Sequence, residues 1–531
     1  AQPMVLETPK GRLHISYNGE IYNFRELRYD LEAAGHHFKT SSDTEVLLHL
    51  YERYGRDMVE RLRGMFAFAI WDEKRRGMLL ARDGFGIKPL YYAQAENGIA
   101  FASEAQALLA AGFGRRELRD RPIGELLQLQ FTTGAHTPFD GIQRVLPGET
   151  IVIAGGRIID RRHRAALPEG GPQRMSEATA LKALEVALTD SVDVHQRADV
   201  PYAMFLSGGI DSSAILALMA RLNDRPVYAY TAGFPGTDAA DERAHARSVA
   251  QSFGAQHVEV TFEASDFWSM LPAIAAAMDE PVADYAILPT WKLAQVASKD
   301  HKVILSGEGG DEIFGGYGRY RSLMRPWWMG GRGMRRRGIL DWLGVLRRDD
   351  PAWRDGIAAA EAVMRTGGRS RLQVAQAVDC ADWLPNDLLT KLDRCLMAHG
   401  VEGRTPFLDP AVANAAFRLP DALKVKGGLG KWILRKWLDD VAPAAQAFSK
   451  KKGFTVPVGE WIAAEGDRIG PLVAAQAGVA ERCRPEAVIA LFQAPGKRER
   501  FAAWTLLFFA LWHQHHILGI SNEGDAFDAL A

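Results

Sequence analysis

At 531 residues, with 47% apolar and 24% charged side chains, the chain has the composition of an ordinary globular protein, too long for one core. A formal net charge of −1 argues against a bulk nucleic-acid or membrane binder, and no run of about 18 apolar residues occurs that would span a bilayer. The three cysteines, Cys380, Cys395 and Cys483, are widely spaced and form no CxxC pair, which argues against a disulfide framework or a cysteine zinc site and makes a reducing cytoplasm the expected compartment.

Residues 1–160 predict an α+β domain built from short strands at 14–17, 66–71, 77–82, 90–93, 99–102 and 150–153. Helices are expected at 24–34 and at 44–55, the latter with Val46, Leu47, Leu50 and Tyr51 on one face. Residues 161–175, with Pro and Gly, read as a linker. From Ser176 to residue 520 helix and strand alternate, with strands at 202–206, 227–231, 257–260 and 302–305; residues 521–531 read as a tail. That alternation predicts a doubly wound parallel sheet, whose ligands bind at strand carboxyl ends. Within it, residues 325–370 carry Arg332, Arg335, Arg336, Arg337, Arg347 and Arg348, and are expected to form a solvated helical excursion. The last 120 residues or so read as mostly helical, with an apolar helix near Trp504–Trp512 packed on the body.

The apolar run Tyr202–Leu206 leads into Ser207-Gly208-Gly209-Ile210-Asp211-Ser212. A strand entering a Gly-rich turn that opens a helix makes a nest of backbone N–H groups, and hydroxyls at both ends can donate to an anion. It is not the GxxxxGK[ST] phosphate loop, because no lysine follows the glycines. A second Gly-rich loop, Ser306-Gly307-Glu308-Gly309-Gly310-Asp311-Glu312, again follows an apolar strand. Its carboxylates would repel one another without a cation, so Asp211 and Asp311 are candidates for Mg²⁺, with helix capping the alternative for Asp311. Glu308 suits a general base or a substrate-positioning group. The cluster Lys450-Lys451-Lys452-Gly453 could bring a cation to developing negative charge, although a lysine cluster alone reads as a solvated face.

Taken together, SGGIDSS, LSGEGGDEIFGGY, the segment from Lys391 to Asp409 and KGFTVPV occur in the order seen in glutamine-dependent asparagine synthetases. So do Tyr17-Asn18-Gly19-Glu20, Asp43-Thr44-Glu45 and Ala81–Tyr92 in the first domain. The chain resembles that family over nearly its whole length. The resemblance implies an antiparallel β-sandwich flanked by helices, of the N-terminal-nucleophile hydrolase type, followed by a parallel-sheet ATP pyrophosphatase domain. It further implies adenylation of the aspartate side chain by ATP with Mg²⁺, then amidation by ammonia drawn from glutamine. Phe205, Ala232, Ser306 and Gly307 would hold the nucleotide, while Ser207, Gly208, Gly209 and Ser212 grip pyrophosphate and Asp211 and Asp311 bind Mg²⁺. Glu308 would take a proton from ammonia, and Lys451, uncertain in register by one position, would stabilise the transition state.

In the first domain the resemblance makes Asn18 and Gly19 an oxyanion hole and sets Glu20 and Asp43 on the α-amino group of glutamine. An Asn-Gly pair by itself reads as a hairpin turn. The family's glutaminase nucleophile is an N-terminal cysteine, and no cysteine precedes Cys380. The expectation is a chain lacking its first strands, whose own glutaminase activity is in doubt. The partners implied are small molecules, with no nucleic acid or membrane, and a homodimer stays open. The alternative on the same scaffold is another adenylating amide ligase, such as a β-lactam synthetase, a peptide cyclase or an amidotransferase acting on a surface-polymer acid.

Overall fold

A computed structural model describes residues 2–9, 11–96, 98–237, 241–329, 331, 333–365, 367–449, 455–521 and 523–531. Two compact units emerge: Ala1–Glu117 with Gly134–Pro168, and Leu118–Thr133 with Glu169–Ala531.

The first unit carries β1 (Met4–Thr8), β2 (Gly11–Ile21), β3 (Gly64–Asp72), β4 (Gly77–Arg82), β5 (Tyr91–Ala95), β6 (Gly98–Ala102), β7 (Arg115–Leu118), β8 (Phe139–Asp140), β9 (Ile142–Arg144), β10 (Glu149–Ala154) and β11 (Arg157–His163). Six of them form an antiparallel sheet ordered β1-β2-β3-β4-β10-β11, and β6-β5-β9 form a second sheet. Alternation along β3 explains the layering. Phe66, Phe68 and Ile70 project to one face, where Leu27 and Leu31 of helix Phe24–Ala33 and Val46, Leu47 and Leu50 of helix Asp43–Tyr54 cover them. Ala67 and Ala69 project to the other face and meet Tyr92, Val145, Ile151 and Ile153. Small residues on that side let the second sheet approach. The result is the antiparallel layered unit flanked by helices that the sequence predicts.

One local reading is corrected here. Asn18-Gly19 is no hairpin turn but lies inside β2, paired with Ala67 and Phe66 of β3. Gly19 has φ +148°, and a Cβ there would stand 2.1 Å from the Met65 carbonyl oxygen. The crowding of two backbones requires glycine at this position.

The second unit holds β12 (Tyr202–Phe205), β13 (Tyr228–Gly233), β14 (Gln256–Thr261), β15 (Val303–Leu305) and β16 (Glu402–Arg404) in one parallel sheet, ordered β14-β13-β12-β15-β16. The chain lays β13 and β14 on one side of β12 and returns to lay β15 on the other. The strand order therefore reverses between β12 and β15, and their carboxyl ends form the crevice where such sheets bind ligands. β16 is not legible in the sequence, because Glu-Gly-Arg is short and polar. It is held by Arg404, whose guanidinium donates to Glu402, His195 and Arg197.

The arginine-rich segment is not simply a solvated helical excursion. Arg335 is only 14% exposed, near Asp379 and stacked on Trp383 and Phe131, and Trp353 is buried. Helix Lys497–His516 is buried along most of its length, with Trp504 and Trp512 donating to the carbonyls of Ala283 and Met278 at 2.6 and 2.9 Å. Among the described residues no helix is long and apolar enough to cross a membrane.

Candidate active site

A cavity of about 700 Å³ opens where β12 and β15 end. Phe205, Ser207, Gly208, Gly209, Asp211, Ser212, Ala232, Ser306, Gly307, Glu308 and Asp311 all line it. Eleven residues separated by up to 106 positions in sequence thus meet around one space.

Helix Ile210–Leu222 starts directly from the first Gly-rich loop, so its unsatisfied N–H groups face the cavity. The loop is braced by its own hydroxyls: Ser207 Oγ lies 3.1 Å from Ser212 Oγ and accepts from Gly209 N at 3.2 Å. The second loop presses against the first. A Cβ at Gly307 would meet Asp211 Cβ at 3.1 Å, and one at Gly310 would meet Asp211 Oδ1 at 2.5 Å. Glycine in the second loop is what allows the two loops to touch. Asp311 sits in the first turn of helix Gly310–Phe314, whose N-cap is Gly309, so it does not cap that helix.

Two buried lysines contact the carboxylates that line the cavity. Lys431, 2% exposed, contacts both Asp211 and Asp311, the latter at 2.8 Å. Burial alone would lower its pKa, yet the two carboxylates outweigh it and raise it. Lys391, 4% exposed, lies 2.9 Å from Asp284 and 3.1 Å from Glu308. Burial opposes its charge too, and Asp284 and Glu308 again hold the ammonium protonated. Behind them, burial and then Asp311 push Glu312 up to about 8, while Tyr317 donates to it at 2.6 Å. A carboxyl that is neutral near neutral pH therefore stands behind the second Gly-rich loop.

Sequence reading passed over Lys431, Asp284 and Lys391 as site groups. Lys431 lies between Gly430 and an amphipathic helix, and a lysine there reads as solvated. Lys391 stands in a motif that resembles the family, but nothing local assigns its partner. Lys451 lies outside the described residues.

In the first unit, Ser42 caps helix Asp43–Tyr54 by accepting from Thr44 N at 3.1 Å. The cap delivers Asp43 to the end of β2, where its carboxylate accepts from Tyr17 Oη at 2.7 Å and Ile21 N at 3.0 Å. Asp43 is thus brought next to Glu20. Asn18 Nδ2 reaches Ser103 Oγ at 3.4 Å. The cysteines offer no nucleophile: all three are buried in the second unit, where burial raises their thiol pKa values.

An antiparallel layered unit joined to a parallel sheet with paired Gly-rich loops defines a glutamine amidotransferase linked to an ATP pyrophosphatase. The glutamine amidotransferase domain profile matches residues 1–164 and the asparagine synthase profile residues 183–514. Glutamine-hydrolysing asparagine synthetase 1 of Bacillus subtilis (strain 168) is 32% identical over 95% of this chain and 85% of its own length. Asparagine synthetase 3 of the same organism is 29% identical over 87% and 80%, and asparagine synthetase B of Escherichia coli (strain K12) 28% over 84% and 71%. Among solved structures, the glutamine phosphoribosylpyrophosphate amidotransferase of B. subtilis matches 49% of this chain at 19% identity and a TM-score of 0.24, too distant to inform the fold. The chain belongs to the glutamine-hydrolysing asparagine synthetase family.

Proposed function

We propose that this chain uses ATP to convert aspartate to asparagine, with ammonia natively drawn from glutamine. The convergence of both Gly-rich loops and two lysine–carboxylate clusters on one cavity carries this reading. An aspartate side-chain oxygen attacks the α-phosphorus of ATP. The bond from that phosphorus to the β-phosphate oxygen breaks, and pyrophosphate leaves. Ser207, Gly208, Gly209 and Ser212 hold pyrophosphate through N–H and hydroxyl donors at the helix N-terminus. The backbone at Phe205, Ala232, Ser306 and Gly307 seats the nucleoside end.

Ammonia then attacks the carbonyl carbon of the acyl adenylate, Glu308 takes a proton, and AMP departs as asparagine forms. Lys391, 3.1 Å away, holds the Glu308 carboxylate in place. Lys451 supplies the cation for the oxyanion of the tetrahedral intermediate. Asp211 and Asp311 fit a Mg²⁺ site, since both already converge on one ammonium and so present acceptor-only oxygens to a cation. When bound, Mg²⁺ neutralises phosphate charge. In the first unit Asn18 and Gly19 serve as oxyanion donors, and Glu20 and Asp43 hold the α-amino group of glutamine.

The test supplies ATP, Mg²⁺ and aspartate with ammonium. Equal yields of asparagine, AMP and pyrophosphate are expected. Pyrophosphate release that needs a carboxylic acid other than aspartate would transfer the reading to another adenylating ligase.

A further inference from the structure

Far from the nucleotide cavity in sequence, the first unit gathers two imidazoles and a carboxylate that the reaction does not use. His49 and Glu52 stand three positions apart on helix Asp43–Tyr54, and so share a face. His36 comes from the turn after helix Phe24–Ala33, closed by a bond from His36 N to Leu31 O at 3.0 Å. Their ligand atoms form a triangle. His36 Nδ1 lies 3.1 Å from His49 Nδ1, and Glu52 Oε2 lies 3.6 and 3.8 Å from those two nitrogens. A tetrahedral ion with bonds near 2.0–2.1 Å needs edges of about 3.3 Å, so the triangle is close to one face of such a polyhedron.

Glu45 adds an orienting group one turn earlier on the same helix. Its carboxylate is pinned by Lys39 N, Thr40 N and Thr40 Oγ1 at 2.8, 2.7 and 2.6 Å, and lies 3.8 Å from His49 Nε2. His49 Nε2 is buried and makes no hydrogen bond. With its proton on Nε2, facing the fixed carboxylate, His49 turns the lone pair of Nδ1 toward His36 and Glu52. A carboxylate behind a ligating imidazole is the common outer-shell arrangement at metal centres.

We propose that His36, His49 and Glu52 bind a divalent transition-metal ion of the Zn²⁺ class, with water as the fourth ligand. Imidazole and carboxylate donors favour Zn²⁺ over the oxygen-loving Mg²⁺ of the nucleotide cavity. His36 and Glu52 are 16% and 23% exposed, which leaves a path for the ion and its water. Binding ties the turn at 35–38 to the helix that carries Asp43 at its start.

The test titrates the chelator-treated full chain with Co²⁺ in excess Mg²⁺, which saturates oxygen-only sites. One equivalent with the intense visible bands of tetrahedral Co²⁺, displaced by Zn²⁺, is expected. His36→Ala, at the more exposed of the two histidines, and separately Glu52→Gln should abolish those bands. Zn²⁺ should raise the thermal midpoint of the unmodified chain and leave that of His36→Ala unchanged. No stoichiometric binding, or unchanged bands in both variants, would overturn the proposal.

Discussion

Lys431 Nζ stands 2.8 Å from Asp311 Oδ1 and also touches Asp211, so one buried ammonium joins the two Gly-rich loops. One ammonium offsets one unit of charge on the two carboxylates proposed to hold Mg²⁺. Replacing the lysine exposes that dependence. Lys431→Met should destabilise the fold by about 3–5 kcal/mol, the cost of leaving buried charge uncompensated. Denaturant unfolding in chelator and in Mg²⁺ checks it. The loss should shrink in Mg²⁺, and an equal loss in both would detach Asp211 and Asp311 from metal binding.

Contact between the loops makes a second prediction. A Cβ at position 310 would stand 2.5 Å from Asp211 Oδ1, so Gly310→Ala must displace that carboxylate. Misplacement of a site group by about 1 Å costs on the order of 10²-fold in rate. Pyrophosphate release should fall by about that factor, with stability changed by less than ~2 kcal/mol. Unchanged turnover would show that Asp211 does not act in the chemistry.

The parts of the site that sequence alone revealed are those with a local cause. An apolar run ending in glycines marks β12 and β15 with their loops, because a strand must be buried and the loop must let backbones approach. A short run of β-formers between turn signals marks β3. What stayed hidden depends on distant partners. Lys431 and Arg335 look like solvent-facing charges until Asp211 and Asp311, or Trp383 and Phe131, are placed around them. Asn18-Gly19 carries a turn signature, yet pairing with β3 draws it into a strand. β16 exists only because β15 offers an edge to pair with.

Stability should depend on pH through Glu312. Burial and Asp311 raise its pKa from 4.5 to about 8, so between those values the folded chain holds a proton that the unfolded chain has lost. Stability contributed by this group is complete below pH 4.5 and declines as pH rises to about 8. Glu312→Gln, which keeps an acceptor for Tyr317, should remove that decline. Lys424 acts in the opposite sense: burial lowers its pKa from 10.5 to about 7, so its contribution rises with pH across that interval. Denaturant midpoints across pH 5–10 for Glu312→Gln and Lys424→Met separate the two slopes.

Glu308 allows the two half-reactions to be parted. Glu308→Gln removes the proton acceptor for ammonia but leaves the pyrophosphate loop intact. Asparagine formation should fall by about 10²–10⁴-fold while aspartate-dependent pyrophosphate release persists. Measuring both products in one reaction checks this. A parallel loss of both would make Glu308 a group that positions aspartate.

Oxygen transfer tests the central claim most directly. With ATP, Mg²⁺, ammonium and aspartate labelled with ¹⁸O in its side-chain carboxylate, one labelled oxygen should appear in the phosphate of AMP and the other should stay in asparagine. Unlabelled AMP, or label released in inorganic phosphate alongside ADP, would contradict adenylation of the side chain at this site.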